Sequence, residues 1–356
     1  MDLKLGVAVL KDFLMDHDNN VPSVPTEPTE SLDDWLKRLR VTIDSIKVSN
    51  TLAELNPHER DGSLLFEPGA HKYEVIGDSN VYISVTTWNS THFNELTEDH
   101  ILTKMMKGKR WKEGHAYWGM TVEQIKANWK FKRDSACLLG ECMHKLIEYF
   151  LNRPGHDSKS NADDATAKKL VTHADLLKRS LLDDPLEARI AESIGLKIEW
   201  NYFIRYIIDS PGYVPYRTEW RIYHDELKIC GTIDIVYQNP EDGTLIIGDW
   251  KRVLQLKWHE EVAAFRSFSK IPGLEHIPDL NYWHYVLQLN VYKLILEQKY
   301  GKVVSHLYLF KFHPNTPSYE VFELPVLHGE MDLLVCHRLN QLKRRSYNSP
   351  RSHAGK

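Results

Sequence analysis

The chain has 356 residues, 26% of them charged and 42% hydrophobic, and its formal net charge at pH 7 is −4. A chain of this length can bury a sizeable core, in one large domain or in a core with an accessory part. The modest negative charge excludes a global electrostatic signature for nucleic-acid binding. Any function of that kind must therefore come from local features of the chain.

Acidic residues are concentrated near the amino-terminal end. The first thirty-four residues hold eight acidic side chains against two lysines. Pro22–Thr29 has the composition of a linker. We therefore predict that residues 1–55 form an acidic segment with a linker and a short helix.

Residues 56–134 are predicted to form an accessory region. The pattern over Lys72–Val85 predicts a hairpin, and the pattern over Glu98–Lys130 predicts helices. Within it, the segment Lys104–Lys112 mixes cations with the aromatic ring of Trp111, which suits binding to a nucleic-acid backbone and stacking on bases. The alternative for this segment is an exposed, solvated helix face.

Residues 135–150 have the apolar spacing of an amphipathic helix. His144 and Glu148 are four residues apart and share one of its faces. Gly140 lies one turn before His144, where another backbone or a ligand could approach closely. A single histidine in such a place is more often structural than a ligand, so this helix alone does not identify a site.

Three strands are predicted in the middle of the chain, at Arg217–Tyr223, Gly231–Tyr237 and Thr244–Lys251. A turn at residues 225–226 would place Glu219 opposite Thr232. In that register Glu219 shares a face of the sheet with the acidic residue of the second strand.

Asp234 and Asp249 are predicted to lie opposite each other in the second hairpin. This register follows if the turn Gln238–Gly243 has its midpoint between residues 241 and 242. Directly opposed residues have Cβ atoms about 4.5–5.5 Å apart, and like charges there are destabilising. A cation between the two carboxylates would remove that repulsion, and Lys251 lies on the same face because strands have a period of two.

Two carboxylates with a lysine beside them are what metal-assisted hydrolysis of a phosphodiester requires. Mg²⁺ takes oxygen ligands and is held by one or two carboxylates together with phosphate oxygens. The ion acidifies a bound water and polarises the phosphoryl group, and Lys251 could orient the water or stabilise developing charge. The alternative is an ordinary hairpin with a surface Asp234 and a surface pair of Asp249 and Lys251.

The elements that follow complete an α/β pattern. A helix over Asn281–Tyr300 carries Gln288 and Tyr292 on one face, a pair that alone would usually serve helix packing. A strand over Val303–Phe310 comes next. The predicted order is αβββαβ, with a mixed central sheet flanked by helices.

Together these residues resemble one nuclease family. The series is Gly140-x-x-x-His144, Glu219, Gly231-Thr232-Ile233-Asp234, Asp249-x-Lys251 and Gln288-x-x-x-Tyr292. It is similar in order and type to the RecB-like branch of the PD-(D/E)XK nucleases, and resembles the stand-alone DNA exonucleases of that branch, such as mitochondrial genome maintenance exonuclease and viral relatives. The resemblance covers about residues 135–312.

The resemblance implies a PD-(D/E)XK core over residues 135–325, with a helical insertion near 153–215 and a helical N-terminal accessory region. Residues 326–356 would form a C-terminal helix and a basic tail. The chain departs from the family pattern in three ways: no proline precedes Asp234, the third acid is Asp249 rather than glutamate, and the insertion is long. The insertion leaves the geometry of the substrate open.

The resemblance also implies the roles of the site residues. His144, Asp234, Asp249 and the backbone carbonyl of Trp250 would bind Mg²⁺ or Mn²⁺, and Lys251 would be catalytic. Glu219 would be a further acidic or second-metal residue. The resemblance likewise implies that Gln288 and Tyr292 support the site and contact DNA.

The expected function is that of a metal-dependent DNA exonuclease in repair, recombination or genome processing, preferring single-stranded DNA with a free end. A structure-specific endonuclease or an RNA-directed nuclease on the same core is the alternative. A non-catalytic nucleic-acid-binding module fits less well, because an acid pair repels phosphate.

Other sequence features limit which partners and cofactors are expected. No P-loop of the GxxxxGK[ST] form is present, so a helicase or single-strand-binding protein would be a separate partner. The four cysteines suit reduced thiols. Some members of the branch that the chain resembles hold an iron–sulfur cluster with one cysteine before the histidine helix and three close together near the C-terminus. Only Cys336 lies late in this chain, so no such cluster is expected. Without a visible secretory signal, transit peptide or membrane span, we expect a soluble intracellular protein with no membrane partner.

Overall fold

A mixed β-sheet with helices on both faces makes up most of the described chain. The structure, a computed structural model, describes residues 32–67, 72–95, 97–153, 171–182, 186–257 and 267–348. Its helices are α1 (Leu32–Ser45), α2 (Thr51–Leu55), α3 (Val85–Ser90), α4 (Glu98–Met106), α5 (Val122–Leu151), α6 (His173–Leu182), α7 (Leu186–Ser193), α8 (Lys197–Asp209), α9 (Asn281–Lys299) and α10 (His328–Asn348). Its strands are β1 (Leu64–Glu67), β2 (Lys72–Val75), β3 (Ile83–Ser84), β4 (Val214–His224), β5 (Ile229–Gln238), β6 (Leu245–Lys251), β7 (Val304–Lys311) and β8 (Glu320–Glu323).

The central sheet contains β3 to β8. Five of its strands lie side by side in the order β4, β5, β6, β7, β8, and β3 pairs with the start of β5. Neighbours in this series are antiparallel except β6 and β7, which are parallel. Parallel neighbours require a crossover connection, and α9 lies in the one that joins them. The predicted α/β fold with a mixed central sheet flanked by helices is therefore confirmed.

The two faces of the sheet bury separate hydrophobic clusters. On one face, Ile247 and Leu309 pack with residues of α3, α9 and α10. On the other, Ile235, Trp250 and Phe310 pack with residues of α1, α5 and α8. This alternation follows from the period of two along a strand, and it places α5 and α9 on opposite sides of the same strands.

Helix α5 begins thirteen residues before the predicted helix at residue 135. Thr121 and Gln124 form a capping box at its start, which satisfies two of the free N–H groups of the first turn. The added turns are stabilised by Ile125 and Trp129, both fully buried. A helix of 30 residues is about 45 Å long.

The predicted hairpin over Lys72–Val85 is wrong in its pairing. Strand β2 pairs antiparallel with β1, which precedes it, and β3 pairs in parallel with the start of β5. Asp78 explains the difference, because its carboxylate accepts hydrogen bonds from Lys228 at 2.6 Å and from the Tyr82 hydroxyl at 2.7 Å. These contacts hold the chain against the β4–β5 turn, so β3 adds to β5.

Helices α6 to α8 lie within the stretch near 153–215 where a helical insertion is predicted. The linker predicted at 22–29, the acidic residues before 32, most of the polar stretch after residue 153 and the basic residues after 348 lie outside the described residues. Among the helices that the structure describes, none is both long enough and apolar enough to cross a membrane.

Candidate metal centre at the fork between β5 and β6

The hairpin formed by β5 and β6 has the predicted register. Ile235 lies opposite Gly248, and the ladder continues from there toward the turn at 239–244. One position beyond the last pair of the ladder, the same register sets Asp234 against Asp249. The predicted register of the hairpin is thus confirmed.

The two strands separate at this pair. The ladder between β5 and β6 ends at Ile235 and Gly248, while β6 continues beside β7 as far as Lys251. Strand β4 occupies the other edge of β5. We call residues 231–234 of β5 together with residues 249–251 of β6 the fork.

Gly231 allows α9 to pack directly on the fork. A Cβ atom at this position would lie 2.6 Å from Cε1 of Tyr292, closer than non-bonded atoms can approach, so a larger residue would push the ring away. Tyr292 is 4% exposed. Its hydroxyl accepts a hydrogen bond from Nε2 of Gln288 at 3.3 Å, which brings both predicted residues of α9 to the fork.

Asp249 is buried, at 2% exposure, and both of its carboxylate oxygens have neighbours. Its Oδ2 lies 2.5 Å from Nζ of Lys251, and its Oδ1 accepts a hydrogen bond from Nε2 of Gln288 at 3.4 Å. Burial raises the pKa of Asp249 to about 6, and the nearby lysine ammonium limits the rise. The repulsion expected between the two aspartates is therefore relieved in part by Lys251.

Lys251 remains charged at neutral pH. Burial disfavours its ammonium form, but attraction by Asp249 and then by Asp234 outweighs burial and raises the pKa of Lys251 above its usual value. The Nζ atom also lies 4.9 Å from the centre of the Tyr285 ring. Such a cation over an aromatic face is stabilised further.

His144 reaches the fork from α5, on the other face of the sheet. Its Nε2 lies 2.9 Å from the carbonyl oxygen of Trp250. Since a carbonyl can only accept, Nε2 carries the proton in this hydrogen bond. Burial, and secondarily Lys251, lower the pKa of His144 to about 4. The ring is therefore neutral at pH 7, and its Nδ1 is an acceptor.

Two carboxylates face this nitrogen. Nδ1 of His144 lies 3.6 Å from Oδ2 of Asp234 and 3.9 Å from Oε1 of Glu219. The same Oδ2 of Asp234 accepts a hydrogen bond from the N–H of Trp250 at 2.9 Å. Burial raises the pKa of Asp234, although Lys251 and this N–H act in the opposite direction.

Glu219 lies two positions away from its predicted pairing. Arg221, not Glu219, is opposite Thr232, and by the same register Glu219 is opposite Asp234. The reason is the length of the β4–β5 turn, which uses four residues with Lys228 at φ +50°, not two. A shift of two keeps the side chain on the predicted face.

The backbone of Glu219 is strained. Its φ is +45°, a conformation that non-glycine residues rarely adopt and that is found most often at functional sites. Burial and then Asp234 raise the pKa of Glu219 well above its usual value. Because 36% of the side-chain surface is exposed, solvent screens part of this effect.

The fork fits a hard divalent cation. One ligand atom each from His144, Glu219 and Asp234 lie within 4.8 Å of one another. These atoms are all acceptors and converge on one point, and a nitrogen with two carboxylate oxygens suits Mn²⁺ and also Mg²⁺. The family resemblance of the sequence also implies Asp249 and the Trp250 carbonyl as metal ligands. In this structure they contact Lys251 and His144 instead.

Two further aromatic residues belong to the site and were not predicted. Tyr285 precedes Gln288 by three residues and Tyr292 by seven, so helical spacing could have identified it. The hydroxyl of Tyr73, in β2, lies 3.1 Å from Oγ1 of Thr232. No sequence signal connects residue 73 to this strand, because their contact depends on the tertiary fold.

The space beside Gly140 is open. Among the described residues, no atom outside its own helix backbone lies within 4 Å of where a Cβ would be. This turn of α5, one turn before His144, therefore leaves space for the close approach of a ligand that the sequence predicts.

A second histidine–acid group at the β4–β5 turn is structural. His224, Asp225 and Glu226 could also offer ligand atoms, but Asp225 already pairs with Arg60 at 3.2 Å and Lys299 at 3.5 Å. The same lysine pairs with Glu226. Since the negative charge is neutralised by cations of the chain, the group needs no metal.

Comparison with known proteins does not identify the chain. No protein-family model and no curated protein matches it. Among solved structures, the crystal structure of SSO0001 matches at 13% sequence identity with a TM-score of 0.20, over 59% of this chain and 86% of that one. A similarity this weak does not identify the fold or the function of this chain.

Proposed function

We propose that this protein is a metal-dependent DNA nuclease with a PD-(D/E)XK core, and that the fork is its active site. One observation carries the proposal. His144, Asp234 and Glu219 converge on a single point, and the ion pair of Asp249 and Lys251 lies beside them. Metal-assisted hydrolysis needs this combination of acceptors for a cation and an ammonium beside them for phosphate.

The charge balance of the fork supports a cation there. Three carboxylates, those of Glu219, Asp234 and Asp249, are accompanied by one ammonium, and burial raises the pKa of all three acids. His144 is neutral and adds no positive charge. Mg²⁺ or Mn²⁺ held by His144, Asp234 and Glu219 would supply an activated water and polarise the scissile phosphate.

Lys251 is assigned to electrostatic stabilisation. Its raised pKa keeps it protonated at neutral pH, so it cannot serve as the general base. A fixed ammonium in a buried site stabilises negative charge that develops on the phosphoryl oxygens. Asp249 holds this ammonium in place, and Gln288 in turn holds the carboxylate of Asp249.

The substrate proposed is single-stranded DNA with a free end. The test is hydrolysis of end-labelled linear and covalently closed circular single-stranded DNA, each with Mg²⁺, Mn²⁺ or EDTA. We expect loss of the linear substrate with either metal, none in EDTA, and an intact circle. Cutting of the circle would replace the exonuclease proposal with an endonuclease.

An RNA oligonucleotide of the same sequence tests the remaining nuclease alternative. Faster hydrolysis of RNA than of DNA would reassign the substrate. Absence of hydrolysis of every substrate with both metals would refute the enzymatic proposal and leave a nucleic-acid-binding role.

A further inference from the structure

A small second core lies at the amino-terminal end of α5. Ile125 and Trp129 of this helix pack against Ile101 and Leu102 of α4 and against Tyr117. We call residues 98–121, together with the first two turns of α5 on which they pack, the tip cluster. Its hydrophobic residues belong to neither cluster of the central sheet.

Ion pairs with α5 occupy the acidic residues of α4. Lys126 lies 2.6 Å from Asp99, and Arg133 lies 3.1 Å from Glu98. These contacts hold α4 on α5 and neutralise its two acids. The loop after α4 carries four Lys and Arg side chains against one acid, Glu113, so its net charge is positive.

Four cations of that loop face solvent. Lys107, Lys109, Arg110 and Lys112 are all exposed. Within the part of the chain that the structure describes, none of the four forms an ion pair or a side-chain hydrogen bond. Unpaired cations close together are suited to the phosphates of a nucleic acid.

An exposed aromatic ring completes this surface. Trp118 is 48% exposed and packs on Trp111, with ring centres 5.8 Å apart. Trp111 is half-buried and also contacts the ring of His115 at 4.9 Å. The sequence pointed to Trp111 as the stacking residue, and Trp118 is the more exposed of the two rings.

We propose that the tip cluster is a second binding site for single-stranded DNA, separate from the fork. This inference rests on the proposed function, since it describes how the same strand is held away from the active site. Lys107, Lys109, Arg110 and Lys112 bind phosphates, and a base stacks on Trp118. A duplex would satisfy only the cations, because its bases are already stacked and paired.

Helix α5 sets the spacing between the two sites. It carries the tip cluster at Val122 and the predicted metal ligand His144 twenty-two residues later. At about 1.5 Å per residue, that separation is about 33 Å along the helix axis. A strand with phosphates about 3.4 Å apart when stacked, and roughly twice that when extended, would span the gap with about five to ten nucleotides.

The first test measures binding without hydrolysis, by fluorescence anisotropy of labelled oligodeoxythymidylate of about 16 nucleotides in EDTA. Trp118→Ala should weaken binding about 5- to 150-fold, the range expected for the loss of one stacked base. Trp118→Tyr should retain most of the affinity. Val81→Ala, which removes an exposed apolar side chain elsewhere, is the matched control and should change nothing.

Salt dependence tests the cations. The double variant Lys109→Gln with Arg110→Gln should lower the slope of log affinity against log salt by about 1.4, since each phosphate contact contributes about 0.7 for a single strand. Lys197→Gln, at another exposed lysine, should leave the slope unchanged. Equal slopes in the double variant and the parent would overturn the proposal.

The length of the oligonucleotide tests the spacing. With metal present, Trp118→Ala should raise KM for a substrate of about 16 nucleotides and leave KM for one of about 4 nucleotides as in the parent, because the shorter strand cannot reach both sites. Equal effects at both lengths would contradict a remote site. So would unchanged binding in EDTA by Trp118→Ala.

The two proposals fail in different ways. If the protein binds single strands through Trp118 in EDTA but hydrolyses nothing with metal, the tip cluster stands and the nuclease proposal fails. If it hydrolyses DNA but neither Trp118→Ala nor the double variant alters binding, the nuclease stands and the tip cluster is refuted. Tighter binding of duplex than of single-stranded DNA would also refute it.

Discussion

The fork and the tip cluster both concentrate charge, but they hold it in opposite ways. At the fork, the buried Asp249 lies 2.5 Å from the half-buried Lys251, and Gln288 donates a hydrogen bond to the other oxygen of the same carboxylate. At the tip cluster, four cations extend into solvent and have no acidic partner among the described residues.

This difference predicts different chemistry. A buried charge interacts strongly with its neighbours because water screens it little, and its geometry does not change during a reaction. An exposed charge is screened by salt over about 10 Å and adapts to any strand. The fork is therefore suited to one reaction at one position, and the tip cluster to binding many sequences weakly.

Removing the ammonium of the fork should have a large effect on turnover. For Lys251→Ala we expect kcat to fall by about 10²- to 10³-fold, the usual loss for one group that stabilises transition-state charge. Affinity for DNA in EDTA should change much less. Steady-state kinetics and anisotropy on the same preparations measure both.

The control for this variant is Lys270→Ala, at an exposed lysine between β6 and α9. It should leave kcat unchanged. Normal turnover with weakened DNA binding in Lys251→Ala would make Lys251 a phosphate anchor, and the fork would then resemble the tip cluster.

Burial of the Asp249 carboxylate should appear in the pH dependence of stability. Its pKa is raised from 3.8 to about 6 in the folded protein. The stabilisation from the protonated form is complete below about pH 4 and is lost as the pH rises through 6. Asparagine does not titrate, so the variant Asp249→Asn does not lose this stabilisation. The free energy of unfolding of the variant minus that of the parent should therefore rise by up to about 3 kcal/mol between pH 4 and pH 7.

Urea unfolding in EDTA at several pH values measures this difference. Asp242→Asn provides a control of opposite sign, because hydrogen bonds from Thr244 lower the pKa of Asp242 in the exposed turn of the same hairpin. The Asp242 contribution is present above the unfolded pKa and is lost as the pH falls. A difference that is flat with pH for Asp249→Asn would show that its carboxylate is not buried as described.

The histidine from the opposite face of the sheet should control metal affinity. His144→Ala removes the nitrogen that faces Asp234 and Glu219, and we expect the apparent affinity for Mn²⁺ to fall about 10- to 100-fold. In the parent, Mn²⁺ should support activity at least as well as Mg²⁺, since imidazole suits transition metals better. Metal titrations that are monitored by activity and by calorimetry test both expectations.

His306→Ala, at a side chain that is 46% exposed, is the matched control for that titration. Coincident curves for His144→Ala and the parent would remove this histidine from the metal centre.

The smallest effect is expected at Glu219, where two variants separate the cost of backbone strain from the loss of the carboxylate. Its φ of +45° suits glycine, so Glu219→Gly should be more stable than Glu219→Ala by about 1 kcal/mol. Both variants lose the carboxylate, so both should have equally reduced activity. Thermal unfolding in EDTA compares their stabilities, and equal stability would mean that the backbone relaxes and stores no strain.

Local pattern was enough to predict much of the fork. The turn residues between β5 and β6 fixed the register that brings Asp234 beside Asp249, and helical spacing placed Gln288 and Tyr292 on one face. The position of Glu219 was wrong by two residues because the β4–β5 turn is wider than its residue types suggest. Two more residues in the turn shift every pair of the ladder by two positions.

Other features depend on contacts that no local pattern encodes. Strand β3 adds to β5 because Asp78 binds Lys228, which lies 150 residues away in sequence. The same applies to Tyr73 at the fork. At the tip cluster, composition identified the basic-aromatic segment, but which tryptophan is exposed depends on how Trp111 packs beneath Trp118.

The central claim is that the fork, with its two facing aspartates, is a metal-dependent active site. The most direct measurement is the release of labelled nucleotide from linear single-stranded DNA with Mn²⁺, for the parent, Asp234→Ala, Asp249→Ala and the control Glu241→Ala in the exposed turn of the same hairpin. We predict hydrolysis by the parent and by Glu241→Ala, and none by either aspartate variant although both remain folded. Full activity in either purified aspartate variant would contradict the account.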